Sequence, residues 1–320
     1  RDSLLSPAAA RGGDSFLVEL TRLEAAIDDF LAALESQRRA KKTLEAYGRA
    51  LGRFARFCGD VPPDRLTAQL VRRWQRSLAV EGLTATTQSD YLRPVKTWLR
   101  WLAGEGGYGV DETIVARVKA PHHDSEQPYP FTDEEIAKLF KACNRNGWLG
   151  QRMRAMMAVL FDTGIRASEL CGLRLADVDL KAGEILVRAA TSKTRKDRTI
   201  ALGSRGKSEA GRWWFRQRSA WTQHPDAAFF CTGKEKAMGQ KALTKLISRH
   251  GQLAGVPHTH PHRFRHTMAV NSLKAGMSPS VLMATLGHRS FTMTQRYIRL
   301  AEAAVTLAKR AASWLDSAKL

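Results

Sequence analysis

Cysteine is scarce in this sequence. The four among its 320 residues, Cys58, Cys143, Cys171 and Cys231, stand far apart and form no C-x-x-C pair. That spacing points away from a disulfide framework and from a thiolate metal site, and it fits a reducing compartment. Long apolar runs are missing too: none approaches the roughly 18 residues that cross a bilayer. The stretch Ser6, Pro7, Ala8, Ala9, Ala10, Arg11 has the small residues of a cleavage site, but no apolar core precedes it. A soluble, non-exported protein with no membrane partner is expected, cytoplasmic, and nucleoid-associated if bacterial. Acidic residues are in deficit: 31 Asp and Glu against 51 Lys and Arg leave a formal net charge of +20. Such a surface seeks polyanions, and nucleic acid is a better partner for it than a membrane surface.

What is present is enough for two folded domains: 43% of residues are hydrophobic, and the length exceeds one average domain. Residues 1–14 are small and polar and read as a flexible tail. Helical periodicity begins near Phe16, with Leu20, Leu23, Ile27, Leu31 and Leu34 on one face. A second helix is expected after Thr43, an N-cap candidate, with Leu44, Tyr47, Leu51, Phe54 and Cys58 on its stripe. A third runs from Thr67 through Leu70, Val71, Trp74 and Leu78, and a fourth carries Tyr91, Val95, Leu99 and Leu102. Residues 15–106 are therefore expected to form a compact, all-helical domain. Aromatic residues at helical spacing read as core rather than as base-stacking groups. Between the stripes, Arg38, Arg39, Lys41, Lys42, Arg93, Lys96 and Arg100 share one sign, which favours phosphate contacts over a merely solvated face.

Four glycines within Gly104–Gly109, and a Pro121–Pro130 segment of proline, histidine and acidic residues, mark residues 107–130 as a linker. The second domain, 131–320, opens on a capping box, Thr132 with Glu135, followed by Ile136, Leu139 and Phe140. Its patterns are helical except over Glu184–Leu202, where Ile185–Val187 and Thr199–Leu202 flank a polar, basic turn and read as a β-hairpin. Helical character resumes at Ala242, and a terminal helix puts Val305, Leu307, Ala308, Ala311, Trp314 and Leu315 on one face. The fold class expected is mainly α with a small β-sheet or hairpin. No internal repeat or low-complexity tract is visible.

Three clusters in the second domain suit phosphodiester chemistry. In Thr163, Gly164, Ile165, Arg166, Ala167, Ser168, Glu169, Leu170 an arginine follows a glycine turn, with a glutamate three residues on. A guanidinium can give a phosphoryl group two parallel hydrogen bonds, and Glu169 could orient it from behind. The second cluster is His258, His260, Pro261, His262, Arg263, Phe264, Arg265, His266. His262 and His266 are four apart, as zinc ligands on a helix would be. Arg263 and Arg265 would repel a cation, however, and no cysteine or carboxylate completes the set, so no metal is expected. His262 and Arg265 share a helical face and could address one phosphate together. The third is Leu286, Gly287, His288, with Tyr297 nine residues beyond. By itself a tyrosine there reads as core.

Taken in order, these clusters resemble those of the tyrosine recombinase (phage integrase) family across nearly the whole chain. TGIRASEL is similar to the family's first-arginine motif, HRFR to its His-x-x-Arg motif, and LGHRSFTMTQRY to its His/Trp and nucleophile motif. The turn Ser192 to Arg198 resembles the β-turn lysine segment; alignment with the following strand points to Lys193, with Lys196 as competitor. Ile165 and Phe264 stand where leucines are usual, and Asn271 where many relatives have histidine. The resemblance implies a helical core-binding domain and a mostly helical catalytic domain. It implies that Tyr297 attacks a DNA phosphate to form a 3′-phosphotyrosyl link, with Arg166, Arg265 and His288 binding the phosphoryl oxygens. His262 is then the acid/base partner near Tyr297, Lys193 the acid for the leaving 5′-oxygen, and Glu169 a support for Arg166. No cofactor, metal or ATP is implied. The partners implied are double-stranded DNA with specific recombination sites and a homotetramer on two such sites, each protomer clamping the duplex. The terminal helix around Trp314 packs on its own domain or on a neighbour. The alternatives are a type IB topoisomerase-like enzyme and a DNA-binding protein with a degenerate catalytic domain; the intact set of six residues argues against the latter.

Overall fold

The structure, a computed structural model, describes residues 22–122, 129–144, 146–192, 196–233 and 236–311. The expected tail, Phe16, Leu20, Lys193, Trp314 and Leu315 lie outside these residues. The chain divides into two compact units, Arg1–Glu126 and Gln127–Leu320.

In the first unit, helices α1 (Arg22–Ser36), α2 (Lys41–Cys58), α3 (Ala68–Val80) and α4 (Ala85–Ala103) surround one apolar core. Their periodic residues meet there: Leu23, Ile27 and Leu34 from α1, Leu51 and Phe54 from α2, Val71, Trp74 and Leu78 from α3, and Val95, Trp98, Leu99 and Leu102 from α4. Phe54 packs edge-on to Trp74 and Trp98 at 5.0 and 6.2 Å. The Trp98 indole N–H donates to the Ala26 carbonyl at 3.3 Å, so this large ring is buried with its polar atom satisfied. Thr67 caps α3 by accepting from the Leu70 N–H.

Two expectations need correction here. Helix α2 starts at Lys41, with Ala40 in extended backbone ahead of it, so Thr43 falls inside the first turn instead of capping it. The expected linker is also shorter than 107–130. A fifth helix, α5 (Thr113–Arg117), puts Ile114 and Val115 in the core together with Val110 and Val118. Lys96 donates to the Val118 carbonyl and Arg72 to the Arg117 carbonyl, tying the segment to α4 and α3. One helical turn is too short to show a period among glycines.

The second unit begins with α6 (Asp133–Lys141), where the Thr132 and Glu135 side chains and backbone N–H groups pair reciprocally as a capping box. Helix α7 (Trp148–Thr163) is the central element, buried along most of its length, with Ala155, Met156, Val159 and Leu160 fully buried. After α8 (Ala167–Cys171) comes an antiparallel sheet, β1 (Val178–Asp179), β2 (Glu184–Val187) and β3 (Arg198–Ala201), in that order. Strands β2 and β3 pair as a hairpin, with Ile185 opposite Ile200 and Val187 opposite Arg198. The two-residue β1 adds a third strand that the sequence pattern did not suggest. Helices α9 (Ser204–Arg216), α10 (Gln240–Leu253), α11 (Pro261–Lys274), α12 (Pro279–Leu286) and α13 (Phe291–Ala311) complete the unit. Phe264 on α11 meets Phe131 and Phe161 at 5.0 and 4.4 Å, fixing α11 against α7. A separate small core joins α11, α12 and α13 through Met268, Leu282, Leu286, Tyr297 and Ala301. Among the described residues, no helix is long and apolar enough to cross a membrane.

Trp98 is fully buried, and its removal leaves a cavity against α1 and α2. Trp98→Ala is expected to lower the stability of the protein by about 3–5 kcal/mol, read from urea unfolding followed by circular dichroism. A loss under about 1 kcal/mol would contradict this account of the helical core.

Candidate active site

Helix α7 ends at Gly164, whose left-handed backbone (φ +59°) turns the chain sharply towards Arg166. A Cβ at Gly164 would come within 2.8 Å of Leu286 Cδ2 and 3.1 Å of Met268 Sδ, so only glycine lets the α11–α12 core close on this corner. Helix α12 ends in the same way at Gly287 (φ +62°), where a Cβ would meet the Arg198 guanidinium at 3.3 Å. These two corners present backbone carbonyls inward. Gly164 O and Leu286 O each accept from Arg265 at 2.8 Å, and Gly287 O accepts from Arg166 at 3.3 Å.

Glu169, at the start of α8, is completely buried beneath these arginines. Its carboxylate accepts from Arg166 Nη1 at 3.0 Å and from the Arg166 backbone N–H at 2.9 Å. Arg198, from strand β3, grips both oxygens at 3.1 and 2.7 Å, and its Nε donates to the Thr285 carbonyl at 2.9 Å. Burial alone would raise the Glu169 pKa, but the hydrogen bonds from Arg198 and the Arg166 backbone, with both positive charges, outweigh it and hold the carboxyl below its ordinary range. Arg198 thus joins the hairpin to the first arginine and to the α12 corner. Nothing in its sequence spacing sets Arg198 apart from the other basic residues of the turn.

The remaining groups face Tyr297. Its hydroxyl is 2.8 Å from His266 Nδ1, while the His262 ring lies tilted against His266 with ring centroids 4.5 Å apart. The residue in contact with the phenol is therefore His266, not His262. The His288 ring lies parallel to Tyr297 at 6.0 Å, and its Nδ1 is 2.8 Å from the Thr294 hydroxyl. When that hydroxyl donates, His288 Nε2 carries the proton and can donate to a ligand. Neither Thr294 nor His266 stands out in the sequence except as part of a motif.

All three imidazoles are held neutral. Burial, then the positive charge of Arg265, lowers His262 and His288 to about 4; burial, then His262, lowers His266 to about 3. His262 nonetheless keeps solvent access at the edge of the cluster. Burial and the neighbouring Arg166 bring Arg265 down to about 10, still cationic at neutral pH. Burial raises Tyr297 above its ordinary value against the pull of Arg265 and Arg296. The centre thus concentrates uncompensated positive charge around a neutral phenol, which fits an incoming phosphate monoanion.

Lys193 lies outside the described residues, and Lys196 is exposed. Among the described residues, no group of three His, Cys, Asp or Glu is placed to hold a metal ion. In the first unit, Arg38, Arg39, Lys41 and Lys42 are exposed around the α1–α2 turn, and Arg93 and Arg100 are exposed on α4. Arg93 pairs with Asp90 at 3.1 Å, and Lys96 is partly buried on the Val118 carbonyl. Burial and then Arg100 lower the Lys96 pKa.

Two family models match the chain: phage integrase family over residues 130–304, and phage integrase, N-terminal SAM-like domain, over residues 27–106. Tyrosine recombinase XerC of Thermodesulfovibrio yellowstonii is 26% identical over 288 residues, covering 87% of this chain and 92% of that protein. Tyrosine recombinase XerD of Neisseria meningitidis is 28% identical over 283 residues, covering 87% and 94%. Among solved structures, a lambda integrase tetramer bound to a Holliday junction shares the fold, with a TM-score of 0.68 at 19% identity over 86% of this chain and 76% of that one.

Removing Arg198 would leave the buried Glu169 with one guanidinium in place of two. Arg198→Ala is expected to cost about 3 kcal/mol of stability at pH 7. Because the folded-state pKa of Glu169 is depressed, its ion pairs contribute above the ordinary value of about 4.3 and fade as pH falls through the depressed one. The gap between wild type and variant in denaturant unfolding should accordingly shrink between about pH 5 and pH 3. A gap that stays constant over that range would contradict the role given to Glu169.

Proposed function

The chain belongs to the phage integrase family, and from that premise we propose that it is a site-specific DNA recombinase that breaks and rejoins strands through Tyr297. The observation that carries this reading is the convergence around Tyr297 of His266 and His288, with His262 behind His266 and the charges of Arg166 and Arg265 nearby, from segments far apart in the sequence. The curated relatives reported above are both tyrosine recombinases, which favours recombination over topoisomerase-like relaxation.

In the proposed reaction the Tyr297 oxygen attacks a backbone phosphorus and the bond to the 5′-oxygen breaks, leaving a 3′-phosphotyrosyl link. A free 5′-hydroxyl on the other strand reverses the step. The bond energy stays in the link, so no ATP is consumed. Arg166 and Arg265 bind the non-bridging oxygens. Each spends some of its N–H groups on Glu169 or on backbone carbonyls that aim the rest. His288 adds a donor as charge builds on those oxygens. These guanidiniums carry the positive charge that a divalent cation supplies in other phosphoryl-transfer enzymes. Lys193 is assigned as acid for the leaving 5′-oxygen, with Glu169 supporting Arg166. The basic residues of the first unit, Arg38, Arg39, Lys41, Lys42, Arg93 and Arg100, are assigned to the DNA backbone.

Exchange between two duplexes needs four cleavages, and the lambda integrase neighbour is a tetramer on a Holliday junction. This chain is proposed to act likewise, as a homotetramer on two specific sites in the cytoplasm.

A nicked duplex carrying the cognate site, recovered by selecting bound fragments from DNA flanking the gene, should trap an SDS-resistant adduct. Tyr297→Phe is expected to abolish that adduct while DNA binding persists; an adduct persisting in this variant would overturn the reading. Arg166→Ala and Arg265→Ala should each slow adduct formation by about a hundredfold or more, since each removes a transition-state donor. Near-normal cleavage in either would refute its role.

A further inference from the structure

The phenol of Tyr297 must lose its proton to become a nucleophile, and its pKa is raised by burial, so phenolate is scarce at neutral pH. A proton acceptor within hydrogen-bond reach is required. The described structure puts one on the hydroxyl: His266 Nδ1, at 2.8 Å. We infer that His266 is the catalytic base that takes the proton from Tyr297, with His262 left free to serve the phosphate. The inference rests on the proposal that Tyr297 is the nucleophile.

The charges around the ring set its protonation state. Arg265 uses one N–H on Gly164 O and one on Leu286 O, and its positive charge acts on both Tyr297 and His266. That charge keeps His266 neutral with one bare nitrogen, and in the base tautomer the phenol donates its proton to Nδ1. His266 Nδ1 must then be bare and Nε2 protonated, the neutral tautomer that a base requires. The groups acting on the ring agree with neutrality: His262, Arg265 and His260 on α11 and its cap, and Arg296 on α13, all disfavour a second proton. His262 has no such position. It lies against the His266 ring and nearer the solvent.

In the forward step the Tyr297 O–H bond breaks and its proton moves to His266 Nδ1. The phenol oxygen forms the bond to phosphorus, the phosphorus–O5′ bond breaks, and O5′ takes a proton from the acid assigned to Lys193. Religation runs the transfers backwards: imidazolium at His266 returns its proton to the phenol oxygen as the 5′-hydroxyl gives its own to Lys193. Imidazolium beside Arg265 and Arg296 is unfavourable in the free protein, and the phosphate anion offsets that repulsion only when DNA is bound. Ionisation of Tyr297 is thereby coupled to substrate.

The test uses the full chain and its cognate duplex with a bridging 5′-phosphorothiolate at the cleavage position. A thiolate leaves without an acid, so the rate reads nucleophile activation alone. Wild type should form adduct at a rate nearly independent of pH from about 6 to 9, because His266 is a free base throughout. His266→Asn can keep the hydrogen bond through its side-chain oxygen but cannot take the proton. It should be slowed about a hundredfold or more at pH 7, with a rate that climbs towards tenfold per pH unit. A merely structural role would lower the rate without tilting the profile. If the Asn variant does not fold, as judged by circular dichroism and DNA binding, His266→Gln gives the same reading. A flat profile in the folded variant, or a tilt appearing in His262→Asn in place of His266→Asn, would overturn the inference while leaving Tyr297 as nucleophile. Absence of adduct from wild type would instead refute the proposed function.

Discussion

The structure depends on holding several guanidiniums close together without a bound anion. Arg166 and Arg198 share one buried carboxylate, Glu169, with Arg265 close by, and like charges repel more strongly there than in water. Backbone carbonyls make the arrangement tolerable. Gly164, Thr285, Leu286 and Gly287 each turn an oxygen inward to take a guanidinium N–H, fixing direction without cancelling charge. The net excess that survives is what a phosphate would relieve, so the folded centre already prefers its substrate's charge.

This requirement explains several otherwise separate features of the catalytic unit. Two helices end in left-handed glycines because a tight reversal is the way to bring their last carbonyls onto the arginines. The β-hairpin returns to the helical layer because Arg198 must reach Glu169 and Thr285 together. The apolar knot of Met268, Leu286 and Ala301 around Tyr297 keeps the phenol neutral and dry until a phosphate arrives. Stability is given up for this, since each imidazole held neutral resists protonation that the unfolded chain accepts below about pH 6.5.

Much of this was legible in the sequence, and for physical reasons. Long amphipathic stretches such as Leu51 to Cys58 or Leu70 to Leu78 announce helices because one face must be apolar over several turns. The capping box at Thr132 and Glu135 is a local bond pattern that needs no tertiary information. The short elements were hidden. Helix α5 has one turn and strand β1 two residues, too little chain for a period, and each exists because a larger core accepts it. Within the site, motif residues could be named but their pairings could not. That Arg198 holds Glu169, that Thr294 orients His288, and that His266 meets the phenol are facts of three-dimensional convergence between segments up to 121 residues apart, as in the Arg166–Gly287 contact.

The central claim is that Tyr297 becomes covalently joined to DNA. Nuclease digestion and proteolysis of the wild-type adduct, followed by tandem mass spectrometry, locate the linkage directly. The account predicts a nucleotide-phosphate mass on the peptide containing Tyr297. The same mass found on any other residue, with Tyr297 unmodified, would contradict it.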